Sequence, residues 1–431
     1  MTAPGGQASV RATLDAVWRL ESARIIAAIS RLVRDIGLAE ELAQDAVVAA
    51  LSEWPVKGLP PNPAGWLMTT ARHRAIDRLR RNDRLAARVA EMGRTVEDEQ
   101  RAYGQADFEA VLDEDDVPDD VLRLIFMACH PVLPTDSRVA LTLRVVGGLT
   151  THEIARAFVV AEATVAQRIV RAKRILADRQ VPFEIPPPVE RAARLSSVLE
   201  VIYLIFNEGY TATAGEDWLR PELTHEALRL GRVLAELAPD EPEAHGLAAL
   251  MEIQASRNAA RVGPDGEPVP LLEQNRGRWD RLLIRRGFAA LLRAERLRQP
   301  AGPYVLQAAI AVCHARALRP QDTDWPAIAA LYAALHRLTP TPVVELNRAV
   351  AVAMADGPQH GLRIVDAIAD DPMLDGYHLL PSVRGDLLAR LGRWSEARTE
   401  FERAAALTNN RRERDTLLRR AAATRPRPVD Q

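Results

Sequence analysis

The stretch ALTLRVVGGLTTHEIARAFVVAEATVAQRIVRAKRIL, residues 140–176, decides the fold class. Val139 to Val146 reads as an apolar helix ended by Gly147-Gly148. Thr150-Thr151-His152-Glu153 reads as a cap opening a short helix, with Ile154, Ala155 and Phe158 turned inward. Val159 to Glu162 is a four-residue turn. A second helix follows from Ala163 to Ala177, with Val165, Ile169 and Ala172 on its inner face. A short helix, a tight turn and a second helix with a polar outer face form the helix-turn-helix pattern. Thr164, Gln167, Arg168 and Arg171 then face outward near the start of the second helix, where base edges are read. Arg171, Lys173 and Arg174 are placed to reach phosphates. Any amphipathic helix has a charged, solvated face, so this segment alone leaves DNA binding and ordinary helix packing as alternatives.

Charge is segregated along the chain. Arg72, Arg74, Arg78, Arg80, Arg81 and Arg84 fall within thirteen residues, opposed by Asp77 and Asp83. Between Glu91 and Asp120 twelve acids meet only Arg94 and Arg101, which reads as an acidic, flexible linker. Arg168, Arg171, Lys173, Arg174 and Arg179 form a second basic cluster. The balance of 56 Lys+Arg against 58 Asp+Glu, a net charge of -2, is therefore a cancellation and does not exclude nucleic acid as a partner.

The first segment, Arg11 to Trp54, has apolar residues at helical spacing (Leu14, Val17, Trp18, Ile25, Ile29, Leu32, Val33), with Gly37 as the expected C-cap. A second helix is expected from Ala39 to Trp54, stopping at Pro55. After the loop VKGLPPNP, Pro63 opens a third helix that keeps Trp66, Leu67, Ala71, Ile76 and Leu79 inside and most of its arginines outside. The three helices make one module with a basic face. VPFEIPPPVE, residues 181–190, reads as a proline-rich break between domains, beyond which helical periodicity runs to about residue 425.

At 431 residues the chain is too long for a single core, and its 5% aromatics with abundant Ala, Leu and Arg favour an all-α fold. Two cysteines cannot build a disulfide framework. Cys129-His130 and Cys313-His314 are read as buried cysteines beside histidines and not as metal sites, so no metal, cofactor or catalytic residue is assigned. The N-terminus has no apolar signal core and no apolar run approaches a membrane span, so the expectation is a cytoplasmic protein with no membrane partner.

These modules resemble a bacterial RNA polymerase sigma factor of the extracytoplasmic-function group, with sigma regions 2 and 4 only. LAEELAQDAVVAALSEW (38–54) resembles the segment that grips the polymerase β′ clamp, NPAGWLMTTARHRAIDRLRR (62–81) the segment that reads the −10 element, and residues 140–176 the domain that reads the −35 element. The resemblance implies polymerase contacts from Glu40, Glu41, Leu42, Gln44 and Asp45. Leu38 stands where relatives usually carry an acid. It implies −10 contacts from Arg72, His73, Asp77, Arg80 and Arg81, with His73 in place of the usual Asn beside a flipped base. It implies −35 contacts from Thr164, Gln167, Arg168, Arg171, Lys173 and Arg174. Implied partners are core RNA polymerase, through its β′ clamp and β flap, and promoter DNA. The implied division is region 2 at 9–85, an acidic linker at 86–117, region 4 at 118–180 and an extension at 188–425. Trp66 is read as core and not as a stacking platform.

The extension has an internal repeat. In LLPSVRGDLLARLGRWSEARTEFERAAAL (379–407), Gly385, Leu391-Gly392, Ala397, Phe401 and Ala404 match tetratricopeptide positions; Ala349 and Gly361 match Gly385 and Ala397 thirty-six residues earlier. Trp325 and Tyr332 align with Trp394 and Phe401. With NEGYTA (207–212), RGRWDR (276–281), GPYVLQAAIA (302–311) and TPVVELNRAVAVAMADGP (341–358), the chain resembles the sigma subgroup with a tetratricopeptide-like C-terminal domain. That resemblance implies control or support of sigma activity, with a protein or small-molecule regulator left open. Glu208, Arg278, Asp280, His314, Asn347 and His378 could line a pocket, but caps and ion pairs explain them equally well. GPDGEPVPL (263–271) reads as a loop. The alternatives are a helix-turn-helix regulator that works without polymerase, and an enzymatic extension.

Overall fold

Prolines set much of the helical frame. Pro63, Pro188, Pro221, Pro242, Pro303, Pro342 and Pro358 each stand at the first position of a helix, where the missing N–H costs nothing and φ is already helical. The computed structural model describes residues 4–92, 117–158, 160–210, 220–264, 267, 269–408 and 410–424. Among these the architecture is all-α as expected, with no strand. The chain forms two compact units, residues 1–201 and 202–431. Most of the acidic linker (93–116), Val159 of the turn, the last two residues of NEGYTA and the tail 425–431 lie outside the described residues.

The first unit contains α1 (Pro4–Val33), α2 (Ile36–Lys57), α3 (Pro63–Met92), α4 (Val117–Ala128), α5 (Thr135–Val145), α6 (Thr151–Phe158), α7 (Glu162–Asp178) and the start of α8 (Pro188–Tyr210). Helices α1, α2 and α3 pack on one another, and α5, α6 and α7 form the second module. Asn62 accepts from the Gly65 N–H at 2.9 Å to start α3. The Thr150–Glu153 pair forms a reciprocal capping box for α6, with the Glu153 N–H donating to Thr150 at 3.1 Å and Glu153 accepting from the Thr150 N–H at 2.8 Å.

Several local expectations are corrected. Gly37 does not cap α1. Arg34 takes the left-handed position at φ 54, Asp35 accepts from the Leu38 N–H at 2.9 Å, and Gly37 lies inside α2. Pro55 does not stop α2, which runs to Lys57 before Gly58 at φ 86; Pro55 falls in the last turn, where little intrahelical bonding is lost. Helix α3 continues to Met92, into the stretch read as linker. Asp120, counted among the solvated acids, is buried and paired with Arg123 at 2.5 Å and Arg31 at 3.6 Å.

The proline-rich stretch does not coincide with the edge of the first compact unit, which lies inside α8. The beginning of α8 is bonded to the region of α4 and α5. Ser197 donates to the Cys129 carbonyl at 2.6 Å, Arg194 to the Phe126 carbonyl at 3.1 Å, and Arg138 to Ser197 at 2.5 Å and Glu200 at 3.0 Å.

The second unit continues through α9 (Pro221–Leu237), α10 (Pro242–Ala255), α11 (Arg281–Arg296), α12 (Pro303–Arg316), α13 (Trp325–Leu338), α14 (Pro342–Asp356), α15 (Pro358–Ala367), α16 (Leu379–Arg390), α17 (Trp394–Leu407) and α18 (Arg411–Ala423). Helix α10 is buried on every side between Ala244 and Ile253 and packs against α9, α11 and α12. From α12 onward each helix packs on the next, the consecutive pairing expected of a helical repeat. Within α16–α17 a side chain on Gly385 would meet the Phe401 ring at 2.9 Å; only glycine allows that approach. At the stretch read as a loop, 263–271, the Gly263 N–H donates to the Glu267 carbonyl at 2.9 Å and the Val269 N–H to the Arg261 carbonyl at 2.8 Å.

Candidate nucleic-acid interface

Helix α7 divides cleanly into two faces. Val165, Ile169, Ala172 and Leu176 are buried, while Gln167, Arg171 and Arg174 are exposed and Thr164, Arg168 and Lys173 are half-buried. Two of the expected contacts already have carboxylate partners. Arg168 pairs with Asp136 of α5 at 2.7 Å, and Lys173 pairs with Glu40 of α2. Val170, 65% exposed, stands on the same outer face; sequence reading passed over it, though its place out of phase with the buried set marked it.

Helix α3 repeats this division. Leu67, Ala71 and Ala75 are buried. His73, Asp77, Arg80 and Arg81 are exposed at the spacing of a single helix face, and Arg72 is half-buried beside them. Arg81 donates to the Asp77 carbonyl at 3.1 Å. Arg74, left out of the expected set, pairs with Asp45 at 3.2 Å and so ties α3 to α2. Trp66 lies edge-on to the buried Trp54, with ring centroids 5.5 Å apart, and is half-buried; it belongs to the core edge.

The five residues expected on the polymerase do not share one surface. Glu41 is exposed, Gln44 and Asp45 are half-buried, and Leu42 and Glu40 are buried. The outer face of α2 instead continues from Glu41 and Asp45 to Val48 and Leu51, which are exposed apolar residues. The helical period from Glu41 points to Val48, which lies outside the expected set at 40–45. Glu40 is 5% exposed and receives Arg144 at 2.6 Å as well as Lys173. Burial alone would raise its carboxyl, but Lys173 and Arg144 outweigh burial and hold it below its ordinary value.

Burial pushes the Cys129 thiol up to about 12, and burial beside Arg194 brings His130 down to about 4, so this pair is a neutral packing element. Among the described residues no group of three His, Cys, Asp or Glu side chains could hold a metal. No described helix is long and apolar enough to cross a membrane.

The polar candidates of the extension serve its frame. Glu208 pairs with Arg220, and Asp280 accepts from the Leu282 and Leu283 N–H groups at 2.8 and 3.2 Å to cap α11. His378 bonds Glu413 at 3.0 Å. His314 meets the Trp325 ring edge-on at 5.2 Å and is lowered to about 4 by burial and by Arg257 and Arg276. Arg278 and Asn347 are exposed. Arg276 of the RGRWDR motif donates to the His314 and Ala317 carbonyls at 2.8 and 2.7 Å, which closes the C-terminus of α12.

Three stretches of the chain match known families. Residues 18–85 match Sigma-70 region 2, residues 123–176 match Sigma-70 region 4, and residues 194–295 match a family of unknown function, DUF6596. An uncharacterized protein of Rhizobium meliloti (strain 1021) is 45% identical over 383 residues, 89% of each chain. No solved structure matches significantly. Sigma-70 proteins act in promoter-directed transcription, and this chain belongs to that family, as a sigma-70-type factor with a C-terminal helical extension.

Proposed function

We propose that the chain binds core RNA polymerase and directs initiation at a specific promoter class, in the manner of an extracytoplasmic-function sigma factor, and that it is not an enzyme. The carrying observation is the outer face of α7, where Gln167 and Arg171 stand in line above a buried apolar face at the second helix of a helix-turn-helix. Region 4, at 118–180, reads the −35 element through Thr164, Gln167, Arg168 and Arg171, with Lys173 and Arg174 on phosphates. Val170 adds an apolar surface suited to a thymine methyl. Region 2, at 9–85, reads and melts the −10 element through Arg72, His73, Asp77, Arg80 and Arg81. His73 is exposed and offers both a stacking surface and a hydrogen bond to an unpaired base.

The polymerase β′ clamp takes Glu41, Gln44 and Asp45, with Glu40 and Leu42 beneath them, and the β flap takes region 4. The acidic segment of 86–117 serves as the tether. The extension, 188–425, controls or supports this activity through a protein or small-molecule partner. Run-off transcription with core polymerase tests the reading, and failure to bind polymerase or to initiate refutes it. Duplex binding that needs no polymerase would favour a free-standing regulator instead. Arg168→Ala should lose discrimination at one −35 position by about 1–3 kcal/mol, whereas an equal loss on all sequences would mark a phosphate contact.

A further inference from the structure

Three arginines of the second unit gather around two aromatic rings. Arg257, just past α10, holds its guanidinium 5.7 Å from the centre of the Tyr210 ring and 5.9 Å from that of Trp279. Arg276, just before α11, faces Trp279 at 5.1 Å, and Arg261 lies on the Tyr210 ring at 3.3 Å. Helix α12 adds His314 and α13 adds Tyr332, both within electrostatic reach of Arg257. The partners of Arg257 and Arg276 are neutral. Arg257 donates to the Tyr210 hydroxyl and the Gln254 side-chain oxygen. Arg276 donates to the His314 and Ala317 carbonyls and, at 3.1 Å, to the Thr323 hydroxyl. Other guanidinium groups of the extension meet carboxylates, as in Arg232–Glu252 at 2.7 Å and Arg348–Glu345 at 2.5 Å.

Positive charges brought together under burial repel one another and lose hydration. Burial lowers both Arg276 and Arg261, the latter to about 10, and Arg257 adds to each. The Nε atoms of Arg257 and Arg276, the Trp279 Nε1 and the His314 Nδ1 are buried and meet no hydrogen-bond partner among the described residues. Burial pushes the Tyr332 hydroxyl up to about 12, yet its side chain keeps part of its surface in solvent, as a group lining a concave surface does. We propose that this cluster is a binding site for a compact small-molecule dianion, a phosphate monoester or a dicarboxylate, held by the unused Nε donors of Arg257 and Arg276 with the Tyr332 hydroxyl at its rim. Two negative charges match the two guanidinium groups whose partners are neutral, and the guanidinium fork suits carboxylate and phosphate oxygens alike. The inference rests on the reading above that the extension responds to a partner, and it gives that partner's chemistry.

Calorimetric titration of the full chain in a buffer of monovalent anions tests this, with inorganic phosphate in one arm and succinate in the other. Saturable binding of one dianion per chain is expected in at least one arm, and the arm that binds identifies the head group. Arg257→Gln should weaken that binding by about tenfold or more, and Tyr332→Phe, which removes only a hydroxyl, by about threefold. Thermal unfolding gives a second measure, since a bound probe raises the midpoint by mass action. In Arg257→Gln that rise should disappear, whereas an arginine that serves only the frame would lower the probe-free midpoint and leave the rise unchanged. Absence of saturable binding in both arms overturns the proposal. So does unchanged affinity in a folded Arg257→Gln chain or, where that variant fails to fold, in Tyr332→Phe. Binding is read without polymerase or promoter. A dianion that binds but leaves run-off transcription unaltered therefore refutes control by the extension through this site and leaves the site itself standing.

Discussion

Replacing Arg138 by alanine should loosen the start of α8 from region 4. Arg138 is 9% exposed, and its guanidinium donates to Thr135 at 2.8 Å, Ser197 at 2.5 Å and Glu200 at 3.0 Å. The Glu200 side chain is 51% exposed, so that ion pair is solvent-screened and contributes at most about 1 kcal/mol. The bond to Ser197 is buried and charge-assisted, which sets its loss at about 1.5–3 kcal/mol. Ser197 keeps its own bond to the Cys129 carbonyl, so truncation orphans no backbone acceptor there. The expected total is about 2–4 kcal/mol of local stability. Leu195, Val198, Leu199 and Val201 remain buried and hold α8 in part. Two measurements check this: urea unfolding of the full chain, and limited proteolysis within 181–187, which should quicken by tenfold or more if cleavage follows local opening. Arg138→Lys, able to reach one partner but not three, should fall between. An unchanged midpoint together with an unchanged cleavage rate would refute the claim that this network anchors α8.

Gly385→Ala should destabilise the α16–α17 pair by about 1–3 kcal/mol because the new methyl meets the Phe401 ring, and a thermal melt that does not shift would count against that packing. Glu243 accepts from the Tyr304 and Val305 N–H groups at 2.8 and 3.1 Å and so caps α12 from another helix; Glu243→Ala should cost about 1–2 kcal/mol by urea titration, and Glu243→Gln, which keeps an acceptor, less. Lys173 and Arg144 hold the Glu40 carboxyl below its ordinary value of 4.5, so its stabilisation is present above that pH and is lost as pH falls through the lower folded value. The stability gap between wild type and Glu40→Gln, about 2 kcal/mol, should therefore stay flat from pH 7 to about pH 5 and close below about pH 4.5. A gap that instead widened on acidification would contradict the assignment.

How much could be read from sequence depended on how far apart in the chain the cooperating residues lie. The helix-turn-helix was legible because its parts lie within forty residues and each is signalled locally: Gly148 at the turn, the Thr150–Glu153 box, and the alternation of Val165, Ile169 and Ala172 with Gln167 and Arg171. The exposed polar face of α3, with His73, Asp77, Arg80 and Arg81, was legible for the same reason. The end of α1 was misjudged because glycine is the usual left-handed residue there, whereas Arg34 takes that conformation and Asp35 immediately caps the next helix. The polymerase-gripping set was taken as a sequence block, but helical geometry turns Glu40 and Leu42 inward and Val48 and Leu51 outward.

The amino-acid sequence by itself determined an all-α chain, two basic helical modules, the helix start at Pro63 and the repeat pairing at the end, because each depends on neighbouring residues or on a short regular repeat. Only the tertiary structure decided that Glu40 meets Arg144, 104 residues away, that Ile25 to Ser30 of α1 are buried on every side and that α8 is tied to region 4 through Arg138. Those contacts depend on where two modules come to rest, and neither periodicity nor capping carries that information. A carboxylate reads the same in sequence whether it faces water, polymerase or a lysine of its own chain; burial among particular partners is what separates the three.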